Sequence, residues 1–365
     1  MVAVGTEHGG YLFERSRDGE WKRRGPFLKN ESVNTIRFGA EGKLLAATFT
    51  EGVFESKDNG RTWRTRNKGL HVRKVWTIES DPHKRGRVYA GTHYGHLFVT
   101  DNEGEEWDEV TGLHNAPMRN EWGVDWAMGT TGLTIHTVRV DPKRKNRIFI
   151  VSSGAGTYRS DDGGGSWTLL RNGLQEKCPT FGSRTTPSKP VANANENLEN
   201  HLSTVHTCTH KLAFGEDGAI FQQNHCGVFK SDNAGEFWAD VSPQPSKRHG
   251  FPIVTAGYGR KEYLYTVPAY QGICKDHNSC VRGQLEVLRR DEGGGGGWSS
   301  HTKGLPIKTH TCVLRDAMGS PGKGSHEVFI GTTTGELFGT DDDGEKWVMM
   351  AKGLGRVQGV SAKAF

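Results

Sequence analysis

The chain has 365 residues, 50 of them glycine, and only 34% of its residues are hydrophobic. Its 47 basic and 42 acidic residues leave a formal charge of +5, too balanced for a nucleic-acid stripe, and Lys22-Arg23-Arg24 and Lys143-Arg144-Lys145 read as solvated turns. No stretch approaches the roughly 20 apolar residues of a membrane helix. The start, Met1-Val2-Ala3-Val4-Gly5-Thr6, already reads as a strand, so no signal peptide is visible. The expected location is the cytoplasm, unless a leader has been removed. Six cysteines, at 178, 208, 226, 274, 280 and 312, show no CxxC pairing and read mostly as reduced thiols. Cys274 and Cys280 are spaced to bridge a loop.

The glycines fall at regular turns, which points to many short strands and not to disorder. Ser56-Lys57-Asp58-Asn59-Gly60-Arg61-Thr62-Trp63 reads Ser-x-Asp-x-Gly-x-x-Trp. Further copies run from Thr100 to Trp107, Ser160 to Trp167, Ser231 to Trp238 and Thr340 to Trp347. A shortened copy spans Ser16 to Trp21, and a copy lengthened by five glycines spans Arg289 to Trp298. The Asp or Asn accepts backbone N–H groups across a tight turn, and the Gly permits positive φ. The Trp buries a large ring while its N–H keeps a polar contact. An apolar run such as Gly52-Val53-Phe54-Glu55 or Gly227-Val228-Phe229-Lys230 precedes each turn.

These residues resemble the Asp-box (bacterial neuraminidase) repeat of sialidases, sortilin-like receptors and photosystem assembly factors, over nearly the whole chain. The resemblance implies a β-propeller and says little of function, because the box is a structural staple throughout. A sialidase further implies three arginines on a carboxylate, a Tyr–Glu pair and an Asp acid. The early Phe/Tyr-Arg-Ile-Pro element is absent, since the chain reads Ile36-Arg37-Phe38, and Arg73 and Arg315 are the nearest candidates for a clamp.

Each unit reads as four strands, most clearly in the third. There Lys74-Val75-Trp76-Thr77-Ile78 is the inner strand, followed by Arg87 to Thr92, by His96 to Thr100, and by the box with a last strand opened by Trp107. Seven boxes give a single all-β, seven-bladed propeller over 1–365. The chain enters at the second strand of blade 1, and Val357-Gln358-Gly359-Val360-Ser361-Ala362 supplies that blade's inner strand and closes the ring, removing exposed edges. Insertions are expected at 114–131 (with Trp122, Asp125 and Trp126), 175–203 and 274–284. The first two decorate the channel face opposite the boxes, where elaborated loops carry function.

Aligning the inner strands gives one column: Asn34, Trp76, His136, His210, Val254, His310 and Gln358. At the start of the inner strands, this column faces the channel mouth and brings His136, His210 and His310 together. Three imidazoles with an open position suit a catalytic zinc, and copper or iron fit the same ligands. His206 is an alternative to His210 in blade 5, because His206-Thr207-Cys208 mirrors His310-Thr311-Cys312; His93 is a further alternate. Glu7, His225 and Tyr270, at ends of neighbouring strands, are candidates for a base or further catalytic group. Polar residues also line propeller channels for purely structural reasons.

The expected function is therefore a monomeric, metal-dependent hydrolase that attacks an ester or phosphoester-like small molecule with an activated water, without nucleic-acid or membrane partners. The alternative is a non-catalytic binding or assembly propeller for a protein or glycan; a glycosidase ranks below both. Gly293 to Gly297 is a lengthened turn and lacks the Lys and strand–helix setting of a phosphate loop.

Overall fold

The structure is a computed structural model that describes residues 1–39, 42–119, 122, 134–152, 155–174, 209–269, 281–322 and 324–364. Seven four-stranded antiparallel sheets form the blades of a propeller. Their inner strands are Val357–Ala362, Val33–Phe38, Val75–Ser80, Ile135–Val140, Thr209–Phe214, Gly250–Ala256 and Met318–Gly319, for blades 1 to 7 in that order. Val357–Ala362 pairs antiparallel with Val2–Thr6, so blade 1 is built from both ends of the sequence and the ring is closed. Close approach at this junction depends on glycine. A Cβ on Gly359 would lie 2.3 Å from the Asn34 carbonyl oxygen, and one on Gly319 would lie 2.5 Å from that of Val360.

The boxes form as their residue types require. In blade 2 the Asp58 carboxylate accepts the backbone N–H of Arg61 (3.0 Å) and Thr62 (2.9 Å), while Ser56 Oγ accepts that of Gly60 (2.8 Å). Blade 4 repeats this through Asp162 and Ser160. Positive φ extends beyond the box glycine: Asn59, Glu103, Ala234 and Asp343, each just before it, are also left-handed. The hydrogen-bonded turn compensates for this unfavourable conformation.

Packing runs between blades. Phe149, Val151 and Leu170 of blade 4 share a core with Leu212, Phe229 and Trp238 of blade 5. Burying a ring or branched side chain of this size contributes about 1.5–3 kcal/mol, and each blade has two such faces. The expected polar contact of the box Trp holds in blades 2 to 4, where Trp63 and Trp167 donate within their own turns and Trp107 donates to the Arg66 carbonyl. Trp238 and Trp347 instead sit fully inside the core, and their Nε1 has no hydrogen-bond partner among the described residues.

Two expectations are corrected. Cys226 is disulfide-bonded, so the reduced-thiol reading fails there; Cys178, Cys208, Cys274 and Cys280 lie outside the described residues. The inner strand of blade 7 is Met318–Gly319, whereas Thr309–Thr311 pairs with Val281–Gly283 in a separate two-stranded sheet. Insertion 175–203 lies wholly outside the described residues, and 114–131 and 274–284 do so in part. Among the described residues no helix is long and apolar enough to cross a membrane.

Candidate functional site

The inner strands of blades 2 to 5 share one irregularity. Pairing with the next strand shifts between Val33 and Thr35, Val75 and Thr77, Ile135 and Thr137, and Thr209 and Lys211. The residue skipped is Asn34, Trp76, His136 or His210. A bulge leaves one residue outside the ladder and re-aims its side chain, so the column seen in the sequence is a column of bulges. In blade 6 the shift spans Gly250 to Ile253, which puts Phe251 and Pro252 at this level and Val254 further along. In blade 7 Ala317 accepts a bond from Gly331 N and Asp316 bridges Gly359. Asp316 therefore takes the place assigned to His310.

His210, His225 and His249 come together at this end of the channel. Each offers a ring nitrogen, and the three lie within 4.8 Å of one another. His210 is on the bulge, His225 directly follows the strand Ile220–Asn224, and His249 directly precedes Gly250–Ala256. Ring centroids are 4.5 Å apart for His210–His225 and 5.1 Å for His225–His249. Phe251 closes the cluster beneath, 4.8 Å from His210 and 5.3 Å from His249.

His210 Nδ1 lies 2.6 Å from the Gly250 carbonyl oxygen. A carbonyl only accepts, so Nδ1 carries the proton and Nε2 keeps its lone pair. That Nε2 is buried with no hydrogen-bond partner among the described residues. Burial holds His210 well below the ordinary imidazole range, with His225 and then Arg315 pushing the same way. Burial, then Arg315, brings His249 down to about 4. At neutral pH both rings are uncharged, the form that binds a metal. A backbone carbonyl on the far nitrogen is also the usual way a ligating imidazole is oriented. Tetrahedral bonds of 2.0–2.1 Å set nitrogen separations of about 3.3–3.4 Å, so closing on an ion asks for about an ångström of side-chain movement.

Arg315 is buried, its guanidinium carbon 5.4 Å from the Phe251 ring, and its charge reaches His136, His210 and His249. Deeper in the channel, Lys211 forms a buried ion pair with Asp316, and burial brings Lys211 down to about 8 despite that partner. At the box end a cavity of about 810 Å³ is lined by Arg37, Glu79, Arg139, Lys211 and Asp316. One Glu79 oxygen there meets Arg37 at 3.3 Å and Arg139 at 2.9 Å.

Among known proteins, residues 51–228 match the model of the family described as "Sortilin, neurotensin receptor 3". A xyloglucanase of Paenibacillus sp is 32% identical over 109 residues, which are 26% of this chain and 11% of the relative, so the chain matches only a small part of that enzyme's length. The GH74 xyloglucanase structure from Xanthomonas campestris has a TM-score of 0.60 at 16% identity, covering 96% of this chain and 46% of that one. YCF48 bound to a D1 peptide has a TM-score of 0.52 at 12% identity, covering 87% and 80%. The chain is an Asp-box β-propeller.

Within this propeller the expected site residues are partly regrouped. His310 is exposed and lies opposite Arg282 in the small two-stranded sheet, so it is corrected out of the cluster. His136 is buried on its bulge, held uncharged by burial and then by Arg315 and Lys211; it is not one of the three grouped imidazoles. His225, expected as a catalytic group, sits among the potential ligands. Glu7 is exposed and accepts the Arg356 N–H, which takes it out of the site. His93 is buried two blades away, against Phe49 and Trp76, with Nδ1 3.0 Å from Thr134 Oγ1. His206 and Tyr270 lie outside the described residues. His249 is not visible in the column because the column takes Val254 in blade 6, whereas the inner strand already begins at Gly250, directly after His249.

Proposed function

We propose that this propeller is a metal-dependent hydrolase of anionic esters or phosphoesters, with the metal held by His210, His225 and His249. The observation that carries the reading is the buried His210 Nε2, its lone pair directed by the Gly250 carbonyl into a group of three imidazoles. A divalent ion of the zinc type supplies Lewis acidity and an activated water at neutral pH. The chain's own part is to hold three rings, of which His210 and His249 are uncharged, and to place the Arg315 charge beside them for an anionic substrate. In the reaction the water oxygen bonds to the acyl carbon or phosphorus, the ester C–O or P–O bond breaks, and the leaving alcohol takes the proton.

The competing reading is a non-catalytic binding propeller, motivated by the fold neighbour solved with a peptide. A glycosidase is the reading that the xyloglucanase relative supports, and it needs two available carboxylates. Among the described residues of the channel wall, Glu79 and Asp316 are each engaged by cations.

The test is metal content by mass spectrometry, with turnover of carboxylic and phosphate esters, on untagged protein and on His210→Ala/His249→Ala. The expected result is one equivalent of metal and the hydrolysis both lost in the variant. Metal bound without hydrolysis of any ester leaves a binding propeller with a structural ion. A chain that refuses zinc, copper and iron at these histidines overturns the reading.

A further inference from the structure

A second group of metal-binding side chains stands on the outside of blade 3. Its centre is Glu109, in the last strand, Asp108–Glu109. Its carboxylate is approached by His96 Nδ1 at 2.6 Å, His114 Nε2 at 2.9 Å and His71 Nε2 at 3.6 Å. Ring centroids of His71 and His96 are 5.4 Å apart, and those of His96 and His114 are 6.1 Å apart.

The four residues come from four places in the chain. His71 belongs to the connection from blade 2 to blade 3, following buried Leu70. His96 directly precedes the strand Leu97–Thr100, and His114 lies in the short turn Thr111–Asn115 that begins the 114–131 insertion. Phe98 underlies His71 edge-on at 4.8 Å and His96 in a stack at 6.3 Å, which fixes both rings from the protein side. Glu109 is 18% exposed and the three histidines more so, which leaves the group reachable from solvent.

We infer that His71, His96 and Glu109, whose ligand atoms lie within 4.8 Å of one another, form a second transition-metal site that His114, 2.9 Å from the same carboxylate, completes by closing in, and which clamps the start of the blade 3–4 insertion to the outer part of blade 3. The donor set, three imidazoles and one carboxylate, suits zinc, cobalt, nickel or copper and not calcium or magnesium. The nitrogen-to-oxygen distances of 2.6, 2.9 and 3.6 Å bracket the separation of about 3.3 Å set by a tetrahedral ion with bonds near 2.0–2.1 Å. Here the ion takes the place of the hydrogen bonds between imidazole and carboxylate. This site is independent of the channel histidines, and it stands whether or not the propeller is a hydrolase.

The experiment is a Co²⁺ and Zn²⁺ titration of metal-stripped, full-length His210→Ala/His249→Ala protein, read by the visible Co²⁺ spectrum and by calorimetry. One equivalent with nitrogen-rich coordination is expected, with the apparent Kd raised at least tenfold by His96→Ala or Glu109→Gln. Thermal unfolding in zinc should shift upward in the parent and not in those variants. If the parent variant does not fold, wild type is compared with His96→Ala, and the loss of one of two equivalents is the expected result. Binding that survives His96→Ala, His114→Ala and Glu109→Gln alike overturns the site. So does an absence of binding, which leaves only an ion-pair and hydrogen-bond group around Glu109.

Discussion

The two histidine groups solve one problem in opposite ways. At the channel mouth, His210, His225 and His249 are gathered with no carboxylate in the group among the described residues, and burial keeps His210 and His249 uncharged. On blade 3, His71, His96 and His114 surround a carboxylate at the surface. His210 and His249 of the buried group already stand in the uncharged form that a metal requires, and the geometry is held by a backbone carbonyl and by Phe251. The exposed group is held by its own anion, and solvent competes for each contact. The difference teaches that burial and a backbone carbonyl orient the first group, whereas a carboxylate orients the second. A ligand that fills both should therefore grip the first more tightly and reorganise the second more.

The comparison breaks most visibly under substitution of the ligands. His249→Ala is expected to weaken metal at the channel mouth by at least about 10²-fold, beyond the 10–100-fold typical of losing an orienting partner, and to abolish ester turnover. His96→Ala should weaken the surface site about tenfold and leave turnover unchanged; metal titration and a steady-state assay check both. Equal effects at the two sites would remove the distinction between them.

Stability should separate the same two environments. Asp316→Ala leaves the Lys211 ammonium buried without its carboxylate, and breaking such a pair costs about 3–5 kcal/mol. Glu109→Gln at the surface should cost about 0–1 kcal/mol in metal-free protein. Urea unfolding of the two variants beside wild type measures the gap.

Arg315→Lys sharpens the picture of the mouth itself. It keeps the charge and loses the planar fork, so KM for an anionic ester should rise about tenfold while metal content stays unchanged. A neutral ester should show no such rise in the same kinetic assay.

The smallest effect belongs to the box turns. Backbone N–H and hydroxyl donation from Ser166, followed by Ser160, brings Asp162 down to about 2. A depressed folded value means that its stabilisation is present above the unfolded carboxylate range, near 3.9, and is lost as pH falls towards about 2. Asp162→Asn should therefore flatten a small part of the fall in Tm between pH 4 and 2. The boxes of blades 3 and 5, which carry Asn102 and Asn233 in the same place, contribute nothing to that slope.

The repeat was legible in the sequence by itself, because a box is a local object. Ser56, Asp58, Gly60 and Trp63 satisfy each other across one turn, so their spacing alone specified the hairpin, the number of blades and the strand left over at 357–362 to close the ring. The inner-strand column was legible for the same reason in blades 2 to 5, where the bulge recurs at a constant distance from the next strand. His249 and His310 were decided only by the tertiary structure. Their positions depend on where the inner strands of blades 6 and 7 begin, and that is set by pairing with Tyr263–Pro268 and Val328–Gly331, not by any local pattern. The surface group of His71, His96, His114 and Glu109 was equally hidden, because Glu109 comes beside His96 only when its strand pairs opposite Phe98, and His71 reaches it from the connection that precedes the blade. Short-range chemistry gave this protein its scaffold; the convergence of side chains from separate strands, which is what a site requires, exists only once the ring has formed.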